Sequence, residues 1–556
     1  MDVYNIQRQS NTDRGSGLIH NLFHPRARLF TVYFRLMIFR SPYSDVAIPE
    51  ISLTQAVLRR AEELRDKPAL IDGSTNRVLT YGELSEGVRR VAAGLAARGF
   101  RKGDVFAIYS PNLIEYAVAF HAVASLGGIV TTINPLYTAD ELAHQLSDAS
   151  AKYLLTVPQL IEKAIEASDS SNVEEVFVFG DAPGATSFAS LLESEGLAPE
   201  IEINPREDIV ALPYSSGTTG AAKGVMLTHY NMVANLYQLE EHDRVSEQDT
   251  LIAVLPFFHI YGMNVIMNTG LFKGATLVVM PRFELEQFLS TMQTYKITRA
   301  HLVPPVILAL AKQTVIDKYD LSKLKLIMSG AAPLSESLTA DCCERLRCVI
   351  KQGYGMTESS PVTHMCSEDP ETIKYGSVGQ CIPNTECKIV DLETGDELES
   401  GQEGELWVRG PQVMKGYLNR PEATAQTVDG QGWLHTGDIG YADEESHFYI
   451  VDRAKELIKY KGFQVAPAEL EAVLLTHPAI ADAAVIPSPD EEAGEVPKAF
   501  VVLKAQASEQ EIKEFVMERV APYKKIRQVE FIEQIPKSPS GKILRRLLVQ
   551  RERERK

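Results

Sequence analysis

The 556-residue sequence is poor in cysteine and tryptophan and has no excess of positive charge. Its six cysteines all fall between residues 342 and 387 and form no paired C-x-x-C units. This pattern argues against a zinc site or a set of disulfides and favours reduced thiols. The formal net charge of −18 argues against general binding to nucleic acid or to anionic membranes, although a locally basic cleft for anionic cofactors is still allowed.

Long apolar runs are also missing. The apolar stretch at 29–34 is too short, and too closely flanked by arginine, to span a bilayer, so we expect no stable membrane insertion. No internal repeat occurs at a solenoid period, and the last residues do not form the S-K-L peroxisomal signal. These absences, with 45% apolar and 23% charged residues, predict an ordinary cytoplasmic protein of more than one domain.

The first 44 residues carry six arginines against two aspartates. Such a composition fits either an organelle transit peptide or an upstream extension with Met37 as the effective start. We favour the extension, because ordered patterning begins only near Pro49. The expected organisation is a poorly ordered extension (1–44), a large domain (45–452) and a small mobile domain (453–556).

The segment between residues 213 and 224 is dense in hydroxyls and glycines. An apolar run at 209–212 predicts a strand before it, and apolar residues about one turn apart over 230–239 predict a helix after it. Glycines let successive N–H groups converge on an anion, which suits the polyphosphate of a nucleotide. The common P-loop does not fit, since Gly224 follows Lys223, and a flexible serine–glycine linker is the alternative. The candidate phosphate ligands are Ser215, Ser216, Gly217, Thr218, Thr219, Gly220 and Lys223.

Short apolar runs alternate with helical patterns on both sides of this loop. Runs at 105–109 and 129–133 predict strands, and Thr80 with Glu83 forms a capping-box pattern at a helix start. Strands alternating with helices predict parallel α/β sheets. Beyond about residue 375, short alternating runs such as 404–409 predict a β-rich subdomain. The fold class is therefore α/β, with a charged hinge leading to a small C-terminal α+β domain.

Further segments carry candidate chemistry in one order along the chain: 255–262, 329–333, 352–359, 433–438, 449–453, 459–464 and 536–542. Each is weak alone, since a single histidine, loop lysine or turn aspartate usually has only a structural role. Together with the loop at 213–224, the set resembles the acyl-adenylate-forming superfamily from about residue 50 to 545. The motifs are most similar to those of 4-coumarate–CoA ligases and related acyl-CoA synthetases, which activate carboxylates with ATP.

The resemblance implies a nucleotide site. It implies that the backbone at Ala331 lies against adenine, that Tyr354 stacks on adenine and that Thr357 meets phosphate. Asp438 and Arg453 match the ribose contacts, a role that suits a two-oxygen acceptor. The other implied ATP or AMP contacts are Gly353, Gly355, Gln464 and Lys542.

The resemblance also implies the catalytic residues. Lys542 matches the lysine that catalyses adenylation, where a mobile ammonium can neutralise developing charge. Glu358 matches the Mg²⁺ ligand, and a carboxylate oxygen suits a hard cation. His259 matches a position between the nucleotide and carboxylate sites. Lys459 is implied to face the adenylate in one domain orientation, and Thr219 completes the catalytic set.

Coenzyme A is the implied acyl acceptor. Lys461 and Gly462 match positions that face it, and Arg282 stands where the ligases often carry lysine against one of its phosphates. Lys455 matches the hinge about which the small domain turns between adenylation and thioester formation. The expected partners are ATP, coenzyme A and a small carboxylic acid, with the protein a monomer or homodimer.

The implied acyl pocket comprises Tyr261, Val265, Ala331, Gly353, Pro361 and Val362. Val265 replaces a serine common in the ligases, and Ser360 replaces a glycine. The loss of a hydroxyl at 265 leaves an apolar wall, which favours fatty or plain aryl acids. The overall frame favours a hydroxycinnamate-like aryl acid, which we place first.

Rival functions are a medium- or long-chain fatty acyl-CoA synthetase and an enzyme that loads a carrier-protein thiol. The chain has no G-x-x-S-[LI] carrier segment of its own, so such a carrier would be a separate protein. A luciferase-like oxygenase and a nucleotide sensor without catalysis are further alternatives. The sensor is disfavoured because the matched catalytic positions hold competent residues.

Overall fold

The computed structural model describes residues 37–194, 196–215, 222–240, 242–461, 463–490, 493–538 and 541–555. The predictions for residues 1–36 lie outside this part of the chain. So do those for Ser216, Gly217, Thr218, Thr219, Gly220 and Gly462.

The described strands are β1 (Phe39–Arg40), β2 (Pro68–Asp72), β3 (Val78–Thr80), β4 (Val105–Tyr109), β5 (Ile129–Ile133), β6 (Ala151–Thr156), β7 (Glu175–Val178), β8 (Thr186–Ser187), β9 (Ile209–Ala211), β10 (Tyr214–Ser215), β11 (Lys223–Thr228), β12 (Thr250–Ala253), β13 (Thr276–Val279), β14 (Arg299–Leu302), β15 (Leu326–Ser329), β16 (Val349–Gly355), β17 (Val362–Met365), β18 (Gln380–Cys381), β19 (Glu386–Val390), β20 (Gly404–Arg409), β21 (Gly416–Tyr417), β22 (Leu434–Ala442), β23 (Phe448–Arg453), β24 (Ile458–Tyr460), β25 (Phe463–Val465), β26 (Ile480–Asp490), β27 (Gly494–Leu503) and β28 (Gln528–Phe531).

The described α-helices are α1 (Leu53–Val57), α2 (Tyr81–Ala97), α3 (Ile114–Ser125), α4 (Ala139–Asp148), α5 (Ile161–Asp169), α6 (Ala189–Leu192), α7 (His229–Gln238), α8 (Thr269–Phe272), α9 (Leu285–Thr294), α10 (Pro304–Lys312), α11 (Glu336–Leu346), α12 (Pro421–Thr427), α13 (Pro467–Leu475), α14 (Glu509–Met517) and α15 (Arg545–Arg555). A π-helix runs from Tyr261 to Asn268. None of the helices in the described ranges has the length and apolar character that crossing a membrane requires.

Two sheets, each of nine strands within the described residues, form the body of the large domain. The first has the order β10-β11-β9-β5-β4-β6-β7-β8, with β21 beside β11, and the second has the order β18-β17-β16-β15-β14-β12-β13-β2-β3. Their central strands pair in parallel, as between β4 and β5. β4 is buried along its whole length, as expected of a strand covered on both faces. The predicted parallel α/β architecture is confirmed.

Local sequence patterns predicted several elements of the large domain correctly. β4 and β5 have the predicted bounds. The predicted capping box begins α2: the Glu83 N–H donates to Thr80 Oγ1 at 3.2 Å, and the Thr80 N–H donates to Glu83 Oε2 at 2.8 Å. β11 differs from expectation, because it forms a strand where the sequence predicted the phosphate loop to lead directly into the next helix.

The β-rich subdomain is an antiparallel sheet of order β1-β19-β20-β22-β23. Its edge strand β1 belongs to residues that the sequence placed in the poorly ordered extension. Phe39 lies opposite Cys387 on β19, and its ring meets Phe448 edge-on at 5.4 Å. An apolar side chain that is 7% exposed ties the chain down here, so residues 39 and 40 are part of the folded sheet.

The smaller C-terminal domain has its own sheet, of order β25-β24-β27-β26 with β28 beside β27. Its core includes Ile458, Leu470 and Val501, all buried. A turn between β23 and β24 carries the exposed Lys455 and links the two sheets. Arg545 of α15 pairs with Glu456 of this turn and, at 2.7 Å, with Glu471. These ion pairs hold the turn to the small domain.

Candidate active site

Two paired strands flank the predicted phosphate loop. β10 and β11 run antiparallel, with Tyr214 opposite Gly224 and Ser215 opposite Lys223. This pairing brings the two described ends of the loop, Ser215 and Lys223, side by side.

The Glu358 carboxylate and two hydroxyl groups form a cluster of oxygen atoms next to this loop. The Ser215 hydroxyl and the Tyr417 hydroxyl both donate to Glu358 Oε1, each at 2.8 Å. Glu358 is 5% exposed, and Lys223 Nζ lies 4.8 Å from the Tyr417 ring centroid. Burial, together with the charge of Glu358, raises the pKa of Tyr417, which therefore stays protonated and donating.

The sequence did not single out Tyr417. It follows a glycine in the two-residue strand β21 and reaches Glu358 across 59 positions of chain. Such a short strand has no periodicity of its own. It is placed by pairing with β11, with Tyr417 opposite Val225, and no local pattern reports such a pairing.

The predicted adenine and ribose residues lie together. The Tyr354 hydroxyl donates to Asp438 Oδ2 at 2.6 Å, and Arg453 Nε lies 3.1 Å from Asp438 Oδ1. Asp438 and Arg453 face each other across β22 and β23, so the sheet register sets this pair. Burial, followed by the charge of Asp438, raises the pKa of Tyr354. The aspartate thus holds one neutral donor and one cation.

The predicted adenine shelf approaches Tyr261 closely. A Cβ atom on Gly330 would lie 2.7 Å from the Tyr261 ring, so a larger residue at 330 would displace that ring. The Tyr261 hydroxyl donates to the Met328 carbonyl at 3.3 Å. Ala331 has a φ of 70°, a left-handed conformation that costs an alanine free energy. The shelf is held in this shape by its neighbours.

The predicted acyl-pocket residues come from three connected segments. Tyr261 and Val265 belong to the π-helix, and Val265 is buried. The Asn264 side chain donates to the Ser360 carbonyl at 2.6 Å, which ties the π-helix to the segment of Pro361 and Val362. A π-helix widens the backbone and often occurs at functional sites.

Gly353 completes this group. A Cβ atom there would lie 2.3 Å from Met328 Cε and 3.2 Å from the His364 carbonyl oxygen, so a side chain would push into the shelf strand. Gly355 lies nearby in the same strand and is equally constrained by the Pro361 backbone, 2.0 Å from a Cβ position.

His259 is held beside the start of the π-helix. Its Nδ1 accepts the backbone N–H of Tyr261 at 3.3 Å. Burial, with a further contribution from the charge of Lys542, lowers the pKa of His259 to about 4. The imidazole is therefore neutral near pH 7 and can accept or donate a hydrogen bond without carrying charge.

The loop of Lys542 packs against the large domain. Gly541 has a φ of 79°, and a Cβ atom there would lie 3.0 Å from Val303 Cγ2. Burial, followed by the charge of Arg453, lowers the pKa of Lys542, and Asp438 opposes this shift. The charges of Arg453 and Asp438 thus reach Lys542.

The predicted coenzyme A residues are divided between the two domains. Lys459 and Lys461 are exposed on and beside the β24–β25 hairpin. The Phe463 ring stacks on Tyr523 at 4.7 Å, within the small domain. Gln464 belongs to β25, and Arg282 is exposed on the large domain. Thr357, which directly precedes Glu358, is partly exposed.

Family models match most of the chain. The AMP-binding enzyme model covers residues 57–418, and the model of the AMP-binding enzyme C-terminal domain covers residues 469–542. The chain belongs to the AMP-binding enzyme family. The two matched regions of this AMP-binding enzyme correspond to its large domain and its small domain.

Curated relatives are similar over nearly their whole length. A 4-coumarate–CoA ligase of Pinus taeda is 46% identical over 521 residues, covering 92% of this AMP-binding enzyme and 96% of the relative. The 4-coumarate–CoA ligase 1 of Petroselinum crispum is 46% identical over 523 residues with the same coverage.

Solved structures share the fold of this AMP-binding enzyme. An anthranilate CoA ligase in complex with anthranoyl-AMP superposes with a TM-score of 0.85 at 28% identity, covering 92% of this chain and 98% of that one. The o-succinylbenzoate CoA synthetase of Bacillus subtilis in complex with AMP has a TM-score of 0.78 at 31% identity, covering 90% and 98%.

Proposed function

We propose that this AMP-binding enzyme is an ATP-dependent ligase that joins a hydroxycinnamate-like aryl acid to coenzyme A and releases AMP and pyrophosphate. The observation that carries the proposal is the joined group of Tyr354, Asp438 and Arg453, whose charges reach Lys542, in a chain 46% identical to 4-coumarate–CoA ligases. A lysine with a lowered pKa, next to residues suited to ribose, is placed to act on the α-phosphate of a bound nucleotide.

The chemistry proceeds in two steps. A carboxylate oxygen attacks the α-phosphorus of ATP, the bond to the bridging oxygen breaks, and pyrophosphate leaves with its electron pair. The thiolate of coenzyme A then attacks the acyl carbon, and AMP leaves. Two accessible steps replace one in which oxide would have to leave. The residues of the chain position the reactants and stabilise phosphoryl charge.

Lys542 stabilises the first step. Its ammonium supplies positive charge where the carboxylate oxygen and the α-phosphate approach each other. The neutral His259 imidazole lies near this point and carries no charge that would repel Lys542. Asp438 accepts hydrogen bonds from the ribose and keeps the nucleotide in register with Lys542.

The residues around Glu358 fit a Mg²⁺ ion. The buried carboxylate, the Ser215 hydroxyl and the Tyr417 hydroxyl are hard oxygen donors, the type that Mg²⁺ prefers. Glu358 would hold the ion. When bound, Mg²⁺ neutralises phosphate charge.

The second step uses the β24–β25 hairpin of the small domain. Lys461, with Gly462, and Arg282 are proposed to contact the phosphates of coenzyme A, and Lys459 with Gln464 to face the adenylate. A turn of the small domain about Lys455 exchanges the Lys542 loop for this hairpin. The exposed position of Lys455, between the last strand of one sheet and the first of the next, suits a hinge.

Carboxylate-dependent release of pyrophosphate, with and without coenzyme A, tests the proposal. The acid panel covers hydroxycinnamates, benzoates and fatty acids from short to long chains. We expect the fastest turnover on a hydroxycinnamate and the formation of its thioester. Preference for fatty acids would overturn the substrate assignment, and turnover that ignores coenzyme A would indicate a carrier-protein thiol instead. The monomer or homodimer state and the cytoplasmic location stay predictions.

A further inference from the structure

Three soft donor side chains meet in the core outside the nucleotide site. His364 Nε2 lies 3.5 Å from Cys381 Sγ and 3.3 Å from Cys387 Sγ, and the two sulfurs are 3.0 Å apart. All three side chains are buried, at 1% exposure or less. The proposed ligase reaction uses none of them.

The fold brings these residues together from two sheets. His364 on β17 lies directly opposite Cys381 on β18, at the end of the second nine-stranded sheet. Cys387 comes from β19 of the five-stranded sheet. The Phe448 ring closes the cluster, 4.4 Å from the His364 ring. The donors therefore join two sheets rather than lying along one strand.

The spacing of the three donors suits a metal ion. The circle through the three atoms has a radius of about 1.9 Å, close to the roughly 2.0–2.3 Å of zinc–nitrogen and zinc–sulfur bonds. Tetrahedral zinc with Zn–S bonds of about 2.3 Å holds two thiolates about 3.8 Å apart, so the two sulfurs, 3.0 Å apart here, would separate by about 0.8 Å on binding the ion. A small outward movement of the sulfurs brings all three donors to bonding distance.

A neighbouring hydroxyl sets the histidine tautomer. Thr363 Oγ1 lies 2.9 Å from His364 Nδ1 and donates its hydrogen to the Tyr354 carbonyl at 3.4 Å. Its oxygen therefore accepts from Nδ1–H, which leaves the Nε2 lone pair directed at the sulfurs. Metal-binding histidines commonly have such a partner on their other nitrogen.

We propose that His364, Cys381 and Cys387 form a structural binding site for a thiophilic divalent cation, Zn²⁺, with Cys₂His ligation. The sequence argued against a zinc site because the cysteines form no C-x-x-C pair. The site instead combines two cysteines six residues apart with a histidine 17 residues before the first of them. Bound zinc ties β18 to β19 and thereby stabilises the junction of the two sheets.

The site also lies behind the proposed adenine platform. Tyr354 pairs with His364 across β16 and β17, and their ring centroids are 5.8 Å apart. Loss of zinc is therefore expected to raise the KM for ATP more than it lowers kcat. This consequence rests on the proposed function, whereas metal binding itself does not.

Metal content of the full-length protein tests the proposal without reference to activity. The protein is produced in medium with added zinc, purified without chelators and measured by elemental analysis and native mass spectrometry. We expect about one zinc per chain, falling at least tenfold in Cys381→Val and in Cys387→Val. Cys348→Val, the same substitution at a buried cysteine outside the cluster, should keep its zinc.

The wild-type protein gives a second readout should a variant fail to fold. Removal of zinc followed by addition of Co²⁺ should produce a near-ultraviolet thiolate-to-cobalt charge-transfer band, and re-addition of zinc should raise Tm. Absence of that band overturns the proposal. Zinc content that survives both valine substitutions would mark an adventitious ion only and would also overturn the proposal. A wild-type mass two hydrogens short, with a Cys381–Cys387 crosslink, would mark a disulfide and overturn it as well.

Discussion

Two lysine-bearing segments of the small domain differ sharply in their surroundings. Lys542 is carried against the large domain, where burial and Arg453 lower its pKa. Lys461 lies in the β24–β25 hairpin, where the nearby Phe463 stacks on Tyr523 of the same small domain. Burying a lysine costs free energy, so the position of Lys542 is not explained by stability. In the proposed mechanism this arrangement of the domains is the one for adenylation, and the hairpin acts in the later step.

The largest expected effect separates the two segments directly. Lys542→Ala should lower the rate of adenylation by about 10³-fold, because it removes the charge that stabilises the phosphoryl transition state. Thioester formation from supplied acyl-adenylate should stay largely intact. Single-turnover measurements of the two half-reactions check this, with Lys537→Ala, a lysine of the same loop, as the control. Equal loss of both half-reactions would contradict the division of labour.

The pH dependence of adenylation sharpens the same contrast. In the proposed mechanism the protonated form of Lys542 is the active one. Its folded-state pKa is lowered, so the rate should fall about tenfold per pH unit once the pH rises through that value. The fall should begin below the ordinary lysine pKa of about 10.4. Lys542→Arg, although slower, should lack this alkaline limb, since arginine stays protonated. A limb that persists in the arginine variant would assign the titration to another group.

The converse substitution should act on the other half-reaction. Lys461→Ala is expected to lower kcat/KM for coenzyme A about tenfold, the loss of one charge-assisted contact of ~1.4 kcal/mol. Adenylation, followed by pyrophosphate release without coenzyme A, should change little. Lys504→Ala, at another lysine of the small domain, serves as the matched control. If Lys461→Ala instead slowed adenylation, the two segments would not have separate roles.

The smallest expected effect concerns substrate choice within the large domain. Val265→Ser should raise the preference for a ring-hydroxylated cinnamate over plain cinnamate by about threefold, because a hydroxyl can pair with the ring substituent. Val265→Ala removes methyl groups without adding a hydroxyl and is the matched control. Ratios of kcat/KM for the two acids check the effect. Equal changes in both variants would assign it to space alone.

Structural elements that depend on neighbouring residues were predictable from the sequence. The bounds of β4 and β5 and the capping box of Thr80 follow from neighbouring residues, so they were predictable. Tyr417 and β11 depend on pairing between distant segments, and no short pattern reports such a pairing. The parallel sheets, the β-rich subdomain and the small domain were predicted correctly. The roles of the individual site residues stay predictions.

The same reasoning accounts for the cysteines. A search for paired spacings finds no metal site among them, because the third donor of the proposed site is a histidine on another strand. Only the register of β17 against β18, and the approach of β19, bring the donors together. A sequence rule based on spacing along one chain segment cannot detect a site assembled by sheet register.

The short strand β1 limits how far the chain can be trimmed for expression or crystallisation. A truncated protein that begins after Arg40 would leave β19 as an open edge, with unpaired backbone groups beside Cys387. It would also uncover the face of Phe448 that Phe39 covers. Such a protein would tend to pair edge to edge with its own copies, so its solubility would fall while its nucleotide residues were still intact. A shortened gene should therefore start no later than Met37.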